Sequence, residues 1–210
     1  MSYQAIAWDV DGTLVDSEPL HHRALLAVCS GYGIDLSHIP ESRFCGVHIN
    51  DVWLQLRSLL PATAIRERWL AEIETWYIAH SAELAPIDGS VETLRQLQIN
   101  GVRQACVSNS SRRIVEANLR ALGVFDTMAF IISLDDVERG KPDAEPYLKA
   151  QSRFGLAAHQ VLAVEDSVTG VLAARAAGLD VAGYSQEPLL HPQCLPINHL
   201  SQLIELVTLS

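Results

Sequence analysis

Short apolar runs that each stop at a polar, chemistry-bearing residue recur along this chain, and they constrain its fold more than any other feature. Ala5-Ile6-Ala7-Trp8 stops at Asp9, Arg103 to Val107 stops at Ser108, and Val161-Leu162-Ala163-Val164 stops at Glu165-Asp166. Ala129 to Ser133 and Asp180 to Gly183 read as two further short strands. Between these runs lie segments of helical spacing: one from Ser90 to its stop at Gly101, Ile114 to Leu122 before Gly123, Ala144 to Phe154 before Gly155, and Val168 to Ala177 before Gly178. A terminal helix is expected over His199 to Val207. Strands alternating with helices predict βαβ units and a parallel sheet. Open parallel sheets bind ligands at the carboxyl ends of their strands, which is where the polar residues of this chain fall.

One region breaks the alternation. Residues 17–85 show helical spacing over His21 to Ser30, Asn50 to Leu60 and Ile65 to His80, with no strand pattern. The expectation is an all-helical insert of residues 17–85 in a core made of residues 1–16 and 86–210, with Pro86-Ile87-Asp88-Gly89 marking the return. A chain of 210 residues can bury one good core and carry a small accessory domain. Trp69 and Trp76, on one helical face, are expected inside the insert's own core.

Composition excludes several classes. A formal net charge of -10 lacks the basic footprint that nucleic-acid binding requires. No apolar stretch approaches the ~18 residues of a membrane span, and Met1-Ser2-Tyr3 leads into a strand without a signal-peptide pattern. Cys29, Cys45, Cys106 and Cys194 are scattered without metal-ligand spacing and read as reduced thiols. The expectation is a cytoplasmic monomer whose partner is a small molecule, with neither nucleic acid nor membrane involved.

The strand exits carry the chemistry. Asp9 and Asp11 are two apart, and two such carboxylates can divide nucleophilic attack from proton transfer. Glu165-Asp166 adds acids suited to Mg²⁺, which would relieve the repulsion between an attacking carboxylate and a phosphate dianion. Ser108, followed by Asn109-Ser110-Ser111 at a helix start, offers a hydroxyl and free N–H groups as an anion cradle. Lys141, between Gly140 and Pro142, places one point charge. Singly, each has an ordinary reading: a turn after a strand, acids at a helix N-terminus, a serine N-cap, a solvated lysine. Their order, each at a strand exit, favours one shared phosphate site.

In these residues the chain resembles the haloacid dehalogenase-like hydrolase superfamily, in the branch of β-phosphoglucomutase, phosphoglycolate phosphatase and sugar-phosphate phosphatases. Asp9-Val10-Asp11-Gly12-Thr13, Val107-Ser108-Asn109, Gly140-Lys141-Pro142 and Val164-Glu165-Asp166-Ser167 match its four motifs in order. The resemblance implies an α/β, Rossmann-like parallel-sheet core with an inserted all-helical cap, and a phosphatase working through an aspartyl-phosphate on a small phosphorylated metabolite such as a sugar or sugar-acid phosphate. It implies Asp9 as nucleophile and Asp11 as general acid/base. Mg²⁺ would be held by Asp9, Asp11 through its backbone carbonyl, Asp166 and nearby Glu165, and the phosphate by Ser108, Asn109 and Lys141. A phosphosugar mutase is the alternative; but the stretch Phe44-Cys45-Gly46-Val47-His48-Ile49-Asn50-Asp51 has no lysine or arginine to grip a second phosphate. His21, His48, Asn50 and Trp53 are the cap's candidates for substrate contact. Helix packing is the ordinary reading of His21 and Trp53.

Overall fold

The computed structural model describes residues 3–40, 43–44, 47, 49–185 and 191–208. The chain divides into two compact units, residues 1–16 with 85–210, and residues 17–84.

The larger unit is built on a six-stranded sheet of β1 (Ala5–Trp8), β4 (Arg103–Val107), β5 (Phe130–Ile132), β6 (Val161–Glu165), β7 (Asp180–Tyr184) and β8 (Leu195–Ile197). Across the sheet the strands lie in the order β5-β4-β1-β6-β7-β8. Every neighbouring pair is parallel, with β1 registered against both β4 (Trp8 opposite Cys106) and β6 (Trp8 opposite Val164). The strand order departs in opposite directions on either side of β1, so the ligand crevice of such a sheet falls at its carboxyl end. The ladder continues one residue beyond the central strand: Asp9 donates its N–H to the Val164 carbonyl at 2.9 Å, which holds the backbone of Asp9 in register.

Helices α4 (Ser90–Ile99), α5 (Arg112–Ala121), α6 (Glu145–Phe154), α7 (Val168–Ala176) and α8 (Gln202–Thr208) connect or follow the strands. The apolar core gathers Ala5, Ala7, Val107, Ala163, Tyr147 and Val171 from strands and helices alike. Trp8 is fully buried, and its indole N–H donates to Gln104, whose own amide donates to the Leu94 carbonyl. This chain of bonds satisfies a polar ring atom inside the sheet and ties α4 to it.

Two pairings lie outside the strands read from sequence. Val15–Asp16 (β2) pairs antiparallel with Ala85–Pro86 (β3), which puts Ala85 in the larger unit, one residue earlier than expected. Strand β8 was also not expected: it is three residues long and contains Pro196, and a proline is tolerated because β8 is an edge strand.

The smaller unit is helical: α1 (Glu18–Gly31), α2 (Ile49–Leu56) and α3 (Arg66–Ala79), with a short turn of 3₁₀ helix at Ser81–Glu83. Trp69 and Tyr77 are fully buried, and Trp53 lies tilted against Trp69 with ring centres 5.3 Å apart. Trp76 departs from expectation. It is only half-buried, stacked on His80 just past the end of α3 with ring centres 3.7 Å apart, and the Arg23 guanidinium of α1 lies over its ring at 5.9 Å. Among the described residues, no helix is long and apolar enough to cross a membrane.

Candidate active site

Adjacent parallel strands deliver the candidate residues to one edge. Asp9 follows β1, Ser108 follows β4, and Glu165 ends β6 with Asp166 immediately after. Lys141 arrives on the loop before α6, and the bond joining it to Pro142 is cis.

Lys141 is the hub. Its Nζ donates to Asp9 Oδ1 and to Glu165 Oε1, both at 2.6 Å, with a side chain only 4% exposed. The fully buried Glu165 also accepts from the Tyr147 hydroxyl and, at 3.4 Å, from Ser167 Oγ. It packs against Gly170 of α7 so closely that an added Cβ there would stand 1.8 Å from Glu165 Oε2. The backbone of Lys141 is clamped as well. Asn109 Oδ1 accepts its N–H at 2.8 Å, and Asn109 Nδ2 donates to its carbonyl at 3.0 Å. The side chain of Asn109, whose backbone is the part expected at the phosphate, thus bonds the lysine loop.

Asp11 sits in the turn after β1, redirected by Gly12, which adopts a left-handed φ of 84°. The glycine has a second use: a Cβ there would lie 2.2 Å from Asp166 Oδ2. Asp166 accepts from the buried Thr13 hydroxyl at 3.1 Å. Asp11 Oδ2 accepts from Ser110 Oγ at 2.7 Å and lies 3.5 Å from Ser108 Oγ, while its Oδ1 accepts from Asn118 Nδ2 at 3.1 Å. Ser108 in turn accepts the Ser110 N–H at 2.9 Å, which fixes the hydroxyl at the end of β4.

The electrostatics reveal an unbalanced site. Burial pushes Asp9 up, as does Asp11, against the pull of Lys141. Burial followed by Asp9 raises Glu165 to about 7, with Lys141 opposing, and burial, Asp9 and Glu165 raise Asp166 to about 8. Burial opposes the charge on Lys141, yet Asp9 and Glu165 overcome it and hold the ammonium protonated. One lysine faces three acids, so the site carries more negative charge than it can neutralise. One carboxylate oxygen from each of Asp9, Glu165 and Asp166 lies within 4.8 Å of the others. Hard oxygen donors, so spaced and short of positive charge, fit Mg²⁺.

Several partners escaped sequence reasoning. Thr13 appears there only as part of a motif, Ser110 as part of a helix start, and Tyr147 and Asn118 not at all. Asn118 did leave a signal: it interrupts the buried stripe of α5 between Val115 and Leu119, where an apolar residue would pack.

The cap candidates lie in the helical unit with partners there. His21 stacks on Tyr77 with ring centres 4.3 Å apart, and Asn50 accepts from Arg66 Nη2 at 2.6 Å. Trp53 is 5% exposed and packs as described. His48 lies outside the described residues, as do Cys45 and Gly46 of the same loop.

A parallel sheet with acids and a lysine at its carboxyl edge defines an α/β core with a site suited to a divalent cation and an anion, and comparison with known proteins gives the family. The chain matches the haloacid dehalogenase-like hydrolase family over residues 6–184 and belongs to it. It is 31% identical to phosphoglycolate phosphatase from Thiobacillus denitrificans, over 85% of this chain and 81% of that one. It is 29% identical to 6-phosphogluconate phosphatase from Escherichia coli, over 97% of this chain and 94% of the relative. Among solved structures, CbbY from Rhodobacter sphaeroides in complex with phosphate superposes with a TM-score of 0.83 at 24% identity, covering 96% of each chain. These likenesses place it in the branch of that family that includes phosphoglycolate phosphatase.

Proposed function

We propose that this chain is a Mg²⁺-dependent phosphoric monoester hydrolase that acts on a small phosphorylated sugar or sugar acid through an aspartyl-phosphate on Asp9. The observation that carries the reading is the buried Asp9 carboxylate, bonded to Lys141 and grouped with Glu165 and Asp166, with Asp11 two residues away. The relatives named for phosphoglycolate and 6-phosphogluconate support the substrate class.

In the first step an Asp9 carboxylate oxygen attacks phosphorus and the bond to the ester oxygen breaks. Asp11 gives its proton to the departing alkoxide, so that an alcohol leaves. In the second step Asp11, now a carboxylate, takes a proton from water. The water oxygen attacks phosphorus, the bond to Asp9 breaks, and inorganic phosphate is released. Lys141 supplies a fixed positive charge against the phosphoryl oxygens, and the Ser108 hydroxyl with the Asn109 N–H receives them. Asp9, Asp166, Glu165 and the Asp11 carbonyl are the groups that would hold Mg²⁺, which supplies charge neutralisation between carboxylate and phosphate when bound.

Hydrolysis is favoured over a mutase because residues 44–51, after Arg43, hold no lysine or arginine for a second phosphate. Phosphorus NMR with Mg²⁺ and a panel of phosphorylated sugars, sugar acids and phosphoglycolate tests the reading. Release of inorganic phosphate, lost in EDTA, is the expected result. Migration of phosphate to another hydroxyl with little free phosphate would overturn it in favour of a mutase.

A further inference from the structure

We propose that Asn118 is a positioning residue for proton transfer by Asp11, and that with Ser110 it fixes which carboxylate oxygen faces the phosphate site. This rests on the reading of Asp11 as the general acid/base of a phosphomonoesterase.

The need for such a device follows from where Asp11 sits. It lies beyond β1 in a glycine turn and is only half-buried, so the strand ladder does not orient its side chain. Proton transfer requires an approach of about 2.6–3.2 Å, and an error of ~1 Å in placement can cost ~10²-fold in rate. Two different elements hold the two oxygens. Ser110 Oγ, on the loop after β4, donates to Oδ2 at 2.7 Å. Asn118 Nδ2, on α5, donates to Oδ1 at 3.1 Å. The second anchor is the stiffer one, because Asn118 is fully buried on a helix between Val115 and Leu119. An amide in that apolar stripe is unfavourable unless its polar atoms are matched, and Asp11 matches its donor.

The two donors are not equivalent. A side-chain NH₂ can only donate, whereas a hydroxyl can donate or accept. When Asp11 carries its transferable proton, that proton cannot sit on Oδ1 facing Asn118 without confronting the amide hydrogens. It can sit on Oδ2, where Ser110 rotates to accept or yields. Oδ2 is the oxygen 3.5 Å from Ser108 Oγ, at the carboxyl end of β4. Asn118 therefore steers the proton to the oxygen beside the group that receives the phosphate.

The test reads leaving-group dependence, which a merely structural role would not change. The value of kcat/KM reports formation of the phosphoenzyme, and p-nitrophenolate leaves without protonation whereas phenolate needs it more. The variants are Asn118→Ala, Asn118→Leu, and Ser110→Ala, each compared with Asp11→Asn on p-nitrophenyl phosphate and phenyl phosphate, with Tm recorded for every protein. We expect Asn118→Ala and Asn118→Leu to lose roughly 10- to 30-fold on phenyl phosphate and less than ~3-fold on p-nitrophenyl phosphate. Asp11→Asn should give the same pattern, larger, and Ser110→Ala the same direction. Asn118→Leu nearly keeps the shape of the side chain, removes the donor and suits the apolar stripe of α5, so it carries the test if the alanine variant does not fold. Equal losses on both esters for the Asn118 variants, or a gain on phenyl phosphate, would overturn the proposal while a discriminating Asp11→Asn left the acid/base reading standing. If Asp11→Asn itself failed to discriminate, that reading would fall first and this inference with it.

Discussion

The core unit and the helical unit handle their polar side chains in opposite ways. At the sheet edge, the bonds that orient chemistry-bearing groups join residues far apart in sequence: Lys141 to Asp9, Asp11 to Asn118, Asn109 to Lys141, Thr13 to Asp166. In the helical unit most side-chain bonds are local, as in Arg68 to Glu72, Thr75 to the Ala71 carbonyl, and His80 to the Trp76 carbonyl. Long-range bonds among buried groups preorganise a site, because each holds several elements in one geometry. Local bonds on a helix surface leave the neighbouring elements unconstrained, so a side chain there can change without disturbing others. The contrast agrees with the proposal that chemistry resides in the sheet edge.

The largest effect should come from Asp9→Asn. Turnover should fall by at least ~10³-fold, because the amide cannot attack phosphorus. The far-UV spectrum should be unchanged, since Lys141 keeps Glu165 as a partner. Retained turnover would remove the nucleophile from Asp9 and break the assignment of chemistry to this edge.

Lys141→Ala should come next, with a different signature. Removing the ammonium leaves Asp9 and Glu165 buried without their counter-charge, a change that typically costs about 3–5 kcal/mol. For a chain of this size each kcal/mol is worth about 2–4 °C, so Tm should drop by roughly 6–20 °C, with activity down ~10²-fold. Because Mg²⁺ would supply part of the missing charge, its addition should restore more Tm to this variant than to the wild type. An exposed lysine would show neither loss, and a Tm within ~2 °C of wild type would mean that the hub is not one.

How much of this was legible beforehand follows from the same contrast. The strands that carry Asp9, Ser108 and Glu165 were readable because each is a short apolar run between turn signals, and Arg103–Val107 fell where expected. The partners were not readable, because a long-range bond has no local pattern. Nothing around Tyr147 distinguishes a residue that reaches Glu165 from one that merely fills an apolar helix face. Gly170 reads as a weak point in a helix until the Glu165 carboxylate is placed against it. Asn109 was recognised as part of the site, yet the direction of its side chain toward Lys141 depends on a loop 32 residues away. In the helical unit the helices were readable from spacing, whereas the partner of Asn50 was not, since Arg66 lies on a separate helix.

Metal binding should give a smaller, pH-dependent effect. Asp166 and Glu165 are raised to about 8 and about 7, above their ordinary values of 3.8 and 4.5. With folded values above unfolded ones, the folded state binds more protons across that window. The contribution of these two groups to metal-free stability is therefore fully present below about pH 4 and is lost as pH rises through about 7–8. Mg²⁺ binds the ionised forms and competes with those protons. Saturating Mg²⁺, at ~100 times its Kd, should raise Tm by roughly 5–10 °C at about pH 8 and by clearly less at about pH 6. Thermal melts at the two pH values, with and without EDTA, measure it. A gain independent of pH would place the ion away from Glu165 and Asp166.

The mildest change should come from the helical unit. His21 stacks on Tyr77 of the same unit, so its removal should leave the sheet edge intact. His21→Ala should raise KM for a sugar phosphate by up to ~10-fold with kcat nearly unchanged, the pattern of lost uniform binding. Its kcat/KM on p-nitrophenyl phosphate, which lacks a sugar to recognise, should move by less than ~2-fold. The two esters separate the alternatives: parallel losses on both would show that His21 only packs α1 against α3. A fall in kcat on both as deep as that of Asp11→Asn would instead dissolve the comparison, because chemistry would then reach into the helical unit.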